Sequence, residues 1–178
     1  MLPGVSDRQG PSAGGGDGLA TAPGALSGDL VVERVLEVTG AQADALGRLL
    51  PQLSDAPPPD RAALSTVAAA PGCALLLASI GGTVVGSLTL VVFQIPTGVR
   101  AIVEDVVVDS ASRGRGVGSA LVAEALEIAR AAGARSVDLT SRPSREAANR
   151  LYARSGFARR ETNVWRYSFS TPESTPRD

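Results

Sequence analysis

Apolar positions along the chain switch between a period of two and a period of 3.6, and the switches mark the elements. "LVVERVL" (residues 30–36) reads as a strand. "TGAQADALGRLLPQL" follows, with Ala45, Leu46, Leu49 and Leu50 at helical spacing and Thr39 three residues before Gln42, the signature of a capping box. The prolines of "APPPD" end that helix, and Asp60 is placed to cap a second one running to about Ala70. "CALLLASI" and "TVVGSLTLVVF" flank Gly81-Gly82 and predict a hairpin with a two-residue turn. "RAIVEDVVVD" (residues 100–109) is apolar on both faces, as a central strand should be.

A helix from about Gly116 to Ala132 gathers Leu121, Val122, Ala125, Ile128, Ala129 and Ala132 on one side, with Glu124 and Glu127 opposite and Gly133 as its stop. "SVDLTS" reads as a short strand, "SREAANRLYARSG" as another helix, and "GFARRETNVWRYSF" closes with strand-like residues. The order β-α-α-β-β-β-α-β-α-β predicts an α/β fold, a mixed sheet with helices packed on it.

Composition sets the outer limits. The 178 residues suit one domain with a sizeable core. Residues 1–28, rich in Gly, Ala, Ser and Pro, are expected to form a disordered tail, and residues 170–178 a second flexible one, leaving residues 29–169 as the folded domain. The N-terminus has neither the basic nor the apolar region of a signal peptide, and no apolar run approaches the roughly 20 residues of a membrane span. A cytoplasmic protein with no membrane partner is the expectation. A net charge of −1 gives no electrostatic case for nucleic acid.

The missing residue types narrow the chemistry further. The chain has a single cysteine, Cys73, no His and no Lys. A Ser-His-Asp triad, a His-ligated or Cys-cluster metal, a Walker lysine and a lysine Schiff base are excluded, and no metal is expected. Proton transfer must use Glu, Asp, Tyr, Cys, water or the backbone. With no base in evidence beside it, Cys73 reads as a small buried hydrophobe at a strand start.

"RGRGVGSALV" (residues 113–122) is the segment that carries chemistry. A strand runs into a glycine turn that opens a helix, whose first N–H groups lack intrahelical partners and sit at the positive end of its dipole. Glycines allow close approach, and Arg113 and Arg115 add charge, so the segment predicts an anion site for phosphate or pyrophosphate. The alternative is a strand-to-helix turn that binds nothing. A dinucleotide fingerprint is a near miss: Gly114 and Gly116 are followed by Ser119 where a third Gly or Ala belongs, Asp138 lies about twenty residues on, and the loop does not open the fold. That reading would predict NAD or ATP as the ligand.

Arg113-Gly114-Arg115-Gly116-Val117-Gly118 resembles the Arg/Gln-x-x-Gly-x-Gly/Ala signature of the GNAT superfamily of N-acetyltransferases. "VEDVVVD" looks like that family's central strand, and "NRLYARSGF" looks like its "LY-x-x-x-GF" helix end. The element order from Leu30 to Phe169 is similar as well. The resemblance implies a mostly antiparallel central sheet with a splayed parallel pair and helices on both faces. It implies acetyl-CoA as co-substrate, its pyrophosphate held by the amides of Arg113, Gly114, Arg115, Gly116, Val117, Gly118 and Ser119. Its pantetheine would pair with the backbone of Val106, Val107 and Val108, where an amide can polarise the thioester carbonyl.

On the same resemblance Tyr152 is the general acid that protonates the departing thiolate. The plainer reading of Tyr152 is a core residue plugging the helix against the sheet. Arg145, Asn149 and Tyr152 fall at i, i+4 and i+7 on one helix face. Asn149 is a candidate cofactor contact, although many relatives carry an Asn seven residues before the Tyr, where this chain has Arg145. The general base is sought in the central strand, where Glu104 is favoured over Asp105. Alternation sends the two to opposite faces unless a bulge intervenes, with Glu104 on the side of Val106 and Val108. A salt bridge to a nearby Arg is the competing role for either carboxylate.

The function implied is acetyl transfer to a primary amine by direct attack in a ternary complex, with a small-molecule acceptor. A non-catalytic acyl-CoA-binding domain, or an acetyltransferase acting on a protein N-terminus or lysine, are the alternatives. "VEDVVVDS" with the glycine loop also resembles, locally, the corresponding segment of glucosamine-6-phosphate N-acetyltransferases. Thr162, Asn163 and Trp165 are candidates to line an acceptor pocket together with the helix pair around "LSDAPPPDR"; otherwise Val164 and Arg166 mark an edge strand with Trp165 packed on the core. A homodimer through exposed sheet edges is a further possibility.

Overall fold

A computed structural model describes residues 30–169. Both predicted tails lie outside the described residues. Within them the chain forms β1 (Leu30–Val35), α1 (Gly40–Leu49), α2 (Arg61–Ala69), β2 (Cys73–Ile80), β3 (Thr83–Ile95), β4 (Gly98–Val108), α3 (Val117–Ala131), β5 (Val137–Leu139) and α4 (Glu146–Arg154). Short 3-10 turns at Leu50–Gln52 and Ser110–Ser112 extend α1 and lead out of β4.

The local signals act as the sequence predicts. Thr39 Oγ1 accepts from the Gln42 amide at 3.3 Å while Gln42 Oε1 accepts from the Thr39 amide at 2.9 Å, closing the capping box. Asp60 Oδ1 accepts from the Ala63 amide at 2.8 Å and starts α2. Gly81 and Gly82 both take positive φ, 55° and 76°, as a tight hairpin between right-twisted strands requires.

The sheet runs β1-β2-β3-β4-β5, antiparallel throughout except for the parallel pair β4–β5. Helices cover both faces. On one, Leu76, Leu88, Leu90, Ala101 and Val103 pack with Leu121, Val122 and Ala125 of α3 and with Tyr152 of α4. On the other, Leu75 and Leu77 pack with Val35, Val38, Leu46 and Leu64 under α1 and α2. The unbroken apolar run of β2 therefore follows from burial of both its faces.

Two features depart from the sequence reading. Ser87 pairs with Val107 and Thr89 with Glu104, so two β4 residues, Asp105 and Val106, stand opposite the single Leu88. This β-bulge flips the strand's parity. Ala101 and Val103 face α3, and so do Val106 and Val108, which removes Glu104 from the side it was expected to share with them. Asp105 takes up the extra residue at a φ of 50°, the only non-glycine positive φ among the described residues. The second departure is at the C-terminal end. Residues 157–169 carry strand-forming side chains but form no strand, and residues 158–169 are exposed.

Candidate active site

β4 and β5 pair only over Ala101–Val103 with Val137–Leu139. Beyond that point the edge of β4 is free on the β5 side, and Val106, Val107 and Val108 line a cavity of about 830 Å³. The same cavity is lined by the glycine loop and by Arg145, Leu151 and Tyr152. Its size falls within the range of small-molecule and cofactor clefts.

The glycine loop takes its shape from two left-handed residues. Gly114 has a φ of 77°, and Gly116, the N-cap of α3, a φ of 82°. This bend turns the amides of residues 114–119 away from any acceptor among the described residues. The first α3 amide to find one is that of Ala120, which donates to Gly116 O at 3.0 Å. A row of free N–H groups at a helix N-terminus is an anion cradle. Arg113, Gly114, Gly116, Val117, Gly118 and Ser119 all line the cavity, while Arg115 is exposed and does not. The loop is pinned from outside by Gln52, whose Oε1 accepts from the Ser110 amide at 3.1 Å and which also lines the cavity.

Tyr152 is only 8% exposed and meets Phe157 edge to face at 6.0 Å. Burial pushes its phenol above the ordinary value of 10.0, with the positive charge of Arg145 pulling the other way. The hydroxyl therefore stays protonated at neutral pH, as a proton donor requires. Tyr152 belongs to the core beneath α3 and also lines the cavity.

The remaining candidates separate. Asn149 is not among the cavity residues; its Nδ2 donates to Arg142 O at 3.0 Å and holds the loop before α4 in place. Arg145, on the same helix face, reaches the cavity instead. Glu104 and Asp105 are exposed at the bulge, next along β4 from the lining valines, and neither forms a salt bridge with a described residue. Thr162, Asn163 and Trp165 are exposed and outside the cavity, with Trp165 neither a pocket wall nor packed on the core. Cys73 stands at the start of β2 as predicted but is half-buried.

Sequence reasoning missed Gln52, which arrives from a turn 58 residues before its partner and carries no local signal. It also gave no cavity role to Arg150 and Arg154, which line the α4 side. Their spacing from Glu146 resembles that of any solvated helix, and Arg150 does pair with Glu146 at 3.2 Å.

Comparison with known proteins agrees with this geometry. The sequence model of the acetyltransferase (GNAT) family matches residues 44–157, and the chain belongs to that family. Among solved structures it is similar to an aminoglycoside acetyltransferase from an uncultured soil metagenomic sample, with a TM-score of 0.72 and 19% identity over 82% of this chain and 100% of that one. It is also similar to a Trypanosoma brucei acetyltransferase, with a TM-score of 0.66 and 28% identity over 79% and 100%. A third is a ribosomal-protein-alanine N-acetyltransferase from Brucella melitensis, with a TM-score of 0.64 and 20% identity over 79% and 99%. No curated protein matches the chain in sequence. The chain is an acyltransferase with the mixed, splayed sheet of its family.

Proposed function

We propose that the protein transfers acetyl from acetyl-CoA to a primary amine on a small molecule, by direct attack in a ternary complex. The observation that carries this reading is the convergence of three groups on one cavity: the free amides of residues 114–119, the unpaired edge of β4 at Val106–Val108, and the buried phenol of Tyr152.

Each group has a task in the reaction. The loop amides and Arg113 take the pyrophosphate, which a helix N-terminus favours. The free N–H and C=O groups of β4 pair with pantetheine and aim the thioester at the bulge, where a strand amide polarises its carbonyl. The amine nitrogen forms a bond to the carbonyl carbon, the C–S bond breaks, and the Tyr152 hydroxyl gives its proton to the departing sulfur. The proton shed by the amine leaves through water to Glu104. No covalent acyl-enzyme is required, in keeping with a chain that lacks His and Lys and holds its one cysteine outside the cavity.

A small cationic amine is the acceptor favoured by charge. Glu104 and Asp105 sit together, exposed and unpaired among the described residues, beside the reacting end of the cleft. Two carboxylates there attract an ammonium group. The aminoglycoside acetyltransferase with the same fold is consistent with such an acceptor.

The test is thiol release from acetyl-CoA in the presence of a panel of small polyamines, amino sugars and peptide amines, with Tyr152→Phe alongside the wild type. Amine-dependent release that falls about a hundredfold in the variant supports the reading. Binding of acetyl-CoA without turnover of any amine, or turnover indifferent to Tyr152, contradicts it.

A further inference from the structure

Two groups on α4 face the cavity without a partner of their own. Tyr152 is 8% exposed and lines the cavity, yet its hydroxyl forms no hydrogen bond with a described residue. A buried phenol left unpaired is costly, so a ligand atom is its expected partner. Arg145 stands two turns earlier on the same helix face, about 10 Å along the axis. Helical side chains lean toward the N-terminus, which carries the phenol back toward Arg145. The Arg145 side chain lines the cavity and has neither a salt bridge nor a hydrogen bond among the described residues. Its charge is felt at the phenol: burial raises the Tyr152 pKa, and Arg145 opposes that rise.

The surroundings add to this positive end. The amides of Glu146, Ala147 and Ala148 find no acceptor among the described residues; that of Asn149 is the first, donating to Arg145 O at 2.9 Å. The other charged residues lining the cavity are Arg113, Glu146, Arg150 and Arg154, and the one carboxylate is paired with Arg150 at 3.2 Å. A thiol is a stronger acid than a phenol raised above 10.0, so handing the Tyr152 proton to a departing thiolate runs uphill. Sulfur therefore carries negative charge as the C–S bond breaks, and a fixed positive neighbour lowers that barrier.

We propose that Arg145 is a second catalytic group, whose guanidinium stabilises the CoA thiolate that Tyr152 then protonates. The amine nitrogen bonds to the carbonyl carbon and the C–S electron pair passes to sulfur. Arg145 offsets that charge without giving up a proton, since a guanidinium stays protonated. The proton comes from Tyr152, and the phenolate left behind lies under the same positive charge until water restores its proton. The asparagine that many relatives carry seven residues before the tyrosine has no charge to offer there. This role rests on the acetyl-transfer reading of the cavity.

Binding of CoA and of desulfo-CoA, which lacks only the sulfur, tests the role without any acceptor amine. Calorimetry near pH 7 and near pH 9 compares wild type, Arg145→Gln and Arg145→Lys, with folding checked by circular dichroism. The ratio of the two affinities cancels the phosphate contacts and reports the sulfur alone. In the wild type it should rise at least threefold in favour of CoA between the two pH values, because the site favours the thiolate. Arg145→Gln should hold the ratio flat, and Arg145→Lys, which keeps the charge, should restore most of the rise. A flat ratio in the wild type overturns the proposal, as does a lysine variant that restores none of the rise. So does a rise of the same size in Arg145→Gln, and a loss of affinity for both cofactors in that case would assign Arg145 to a phosphate. No binding of either cofactor by any chain overturns the acetyl-CoA reading and this role with it. Binding with a ratio indifferent to Arg145 overturns this role alone.

Discussion

Gly118 and Leu151 meet where α3 leaves the anion loop: a Cβ at position 118 would lie 2.9 Å from Leu151 Cδ2. The glycine therefore sets how closely α4 approaches α3, and with it the position of Tyr152, the next residue along α4. Gly118→Ala asks only that the end of a flexible side chain shift, and a helical alanine returns up to about 1 kcal/mol over glycine. Gly118→Val adds β-branched bulk against Leu151 and Val108, for a cost of about 1–3 kcal/mol. Thermal unfolding should place the alanine variant near wild type and the valine variant several degrees lower, with weaker acetyl-CoA binding in the valine variant alone.

Gly116 is required for its backbone. At a φ of 82°, valine carries a left-handed penalty of about 1–2 kcal/mol, and relief of that strain would turn the loop amides out of line. Gly116→Val is expected to weaken acetyl-CoA binding at least tenfold by calorimetry.

Tyr152 links the cavity to pH. Its folded-state pKa is raised above 10.0, so folding favours the protonated phenol. The stability this contributes is fully present below pH 10 and is lost as pH rises through the folded-state pKa. Tyr152→Phe should flatten that alkaline limb in denaturant unfolding. In a Tyr167→Phe background Tyr152 is the only tyrosine, and Arg145→Gln should then move its absorbance titration to higher pH, because the opposing positive charge is gone.

The bulge on β4 predicts a contrast at Asp105. Asp105→Gly relieves a φ of 50° and should leave stability equal or improved, while Asp105→Val should cost about 1–2 kcal/mol. If the carboxylates attract the acceptor, Glu104→Gln should raise KM for a cationic amine severalfold at low salt, and added salt should narrow the gap.

Much of this architecture was legible in the chain because its signals are local. The capping box at Thr39, the Asp60 cap, the double-glycine hairpin and the glycine loop after β4 each act within a few residues. What escaped depends on distant partners or on register. Strand alternation alone cannot reveal that two β4 residues oppose one on β3, so the side taken by Glu104 was misread. Helix periodicity put Asn149 on the cavity face but not the 3.0 Å bond that draws its amide to Arg142. The closing segment reads as a strand from its own residues, yet it forms none, and residues 158–169 are exposed.

The account rests on residues 106–108 and 114–119 forming one acetyl-CoA site, and thermal unfolding tests that most directly. At about a hundred times its Kd, a ligand stabilises the folded state by roughly 2.7 kcal/mol, enough to raise the midpoint by several degrees. The account predicts that rise with acetyl-CoA in the wild type, its loss in Gly116→Val, and no rise with NAD or ATP. An unchanged midpoint with acetyl-CoA at millimolar concentration, or an equal rise with NAD, would contradict it.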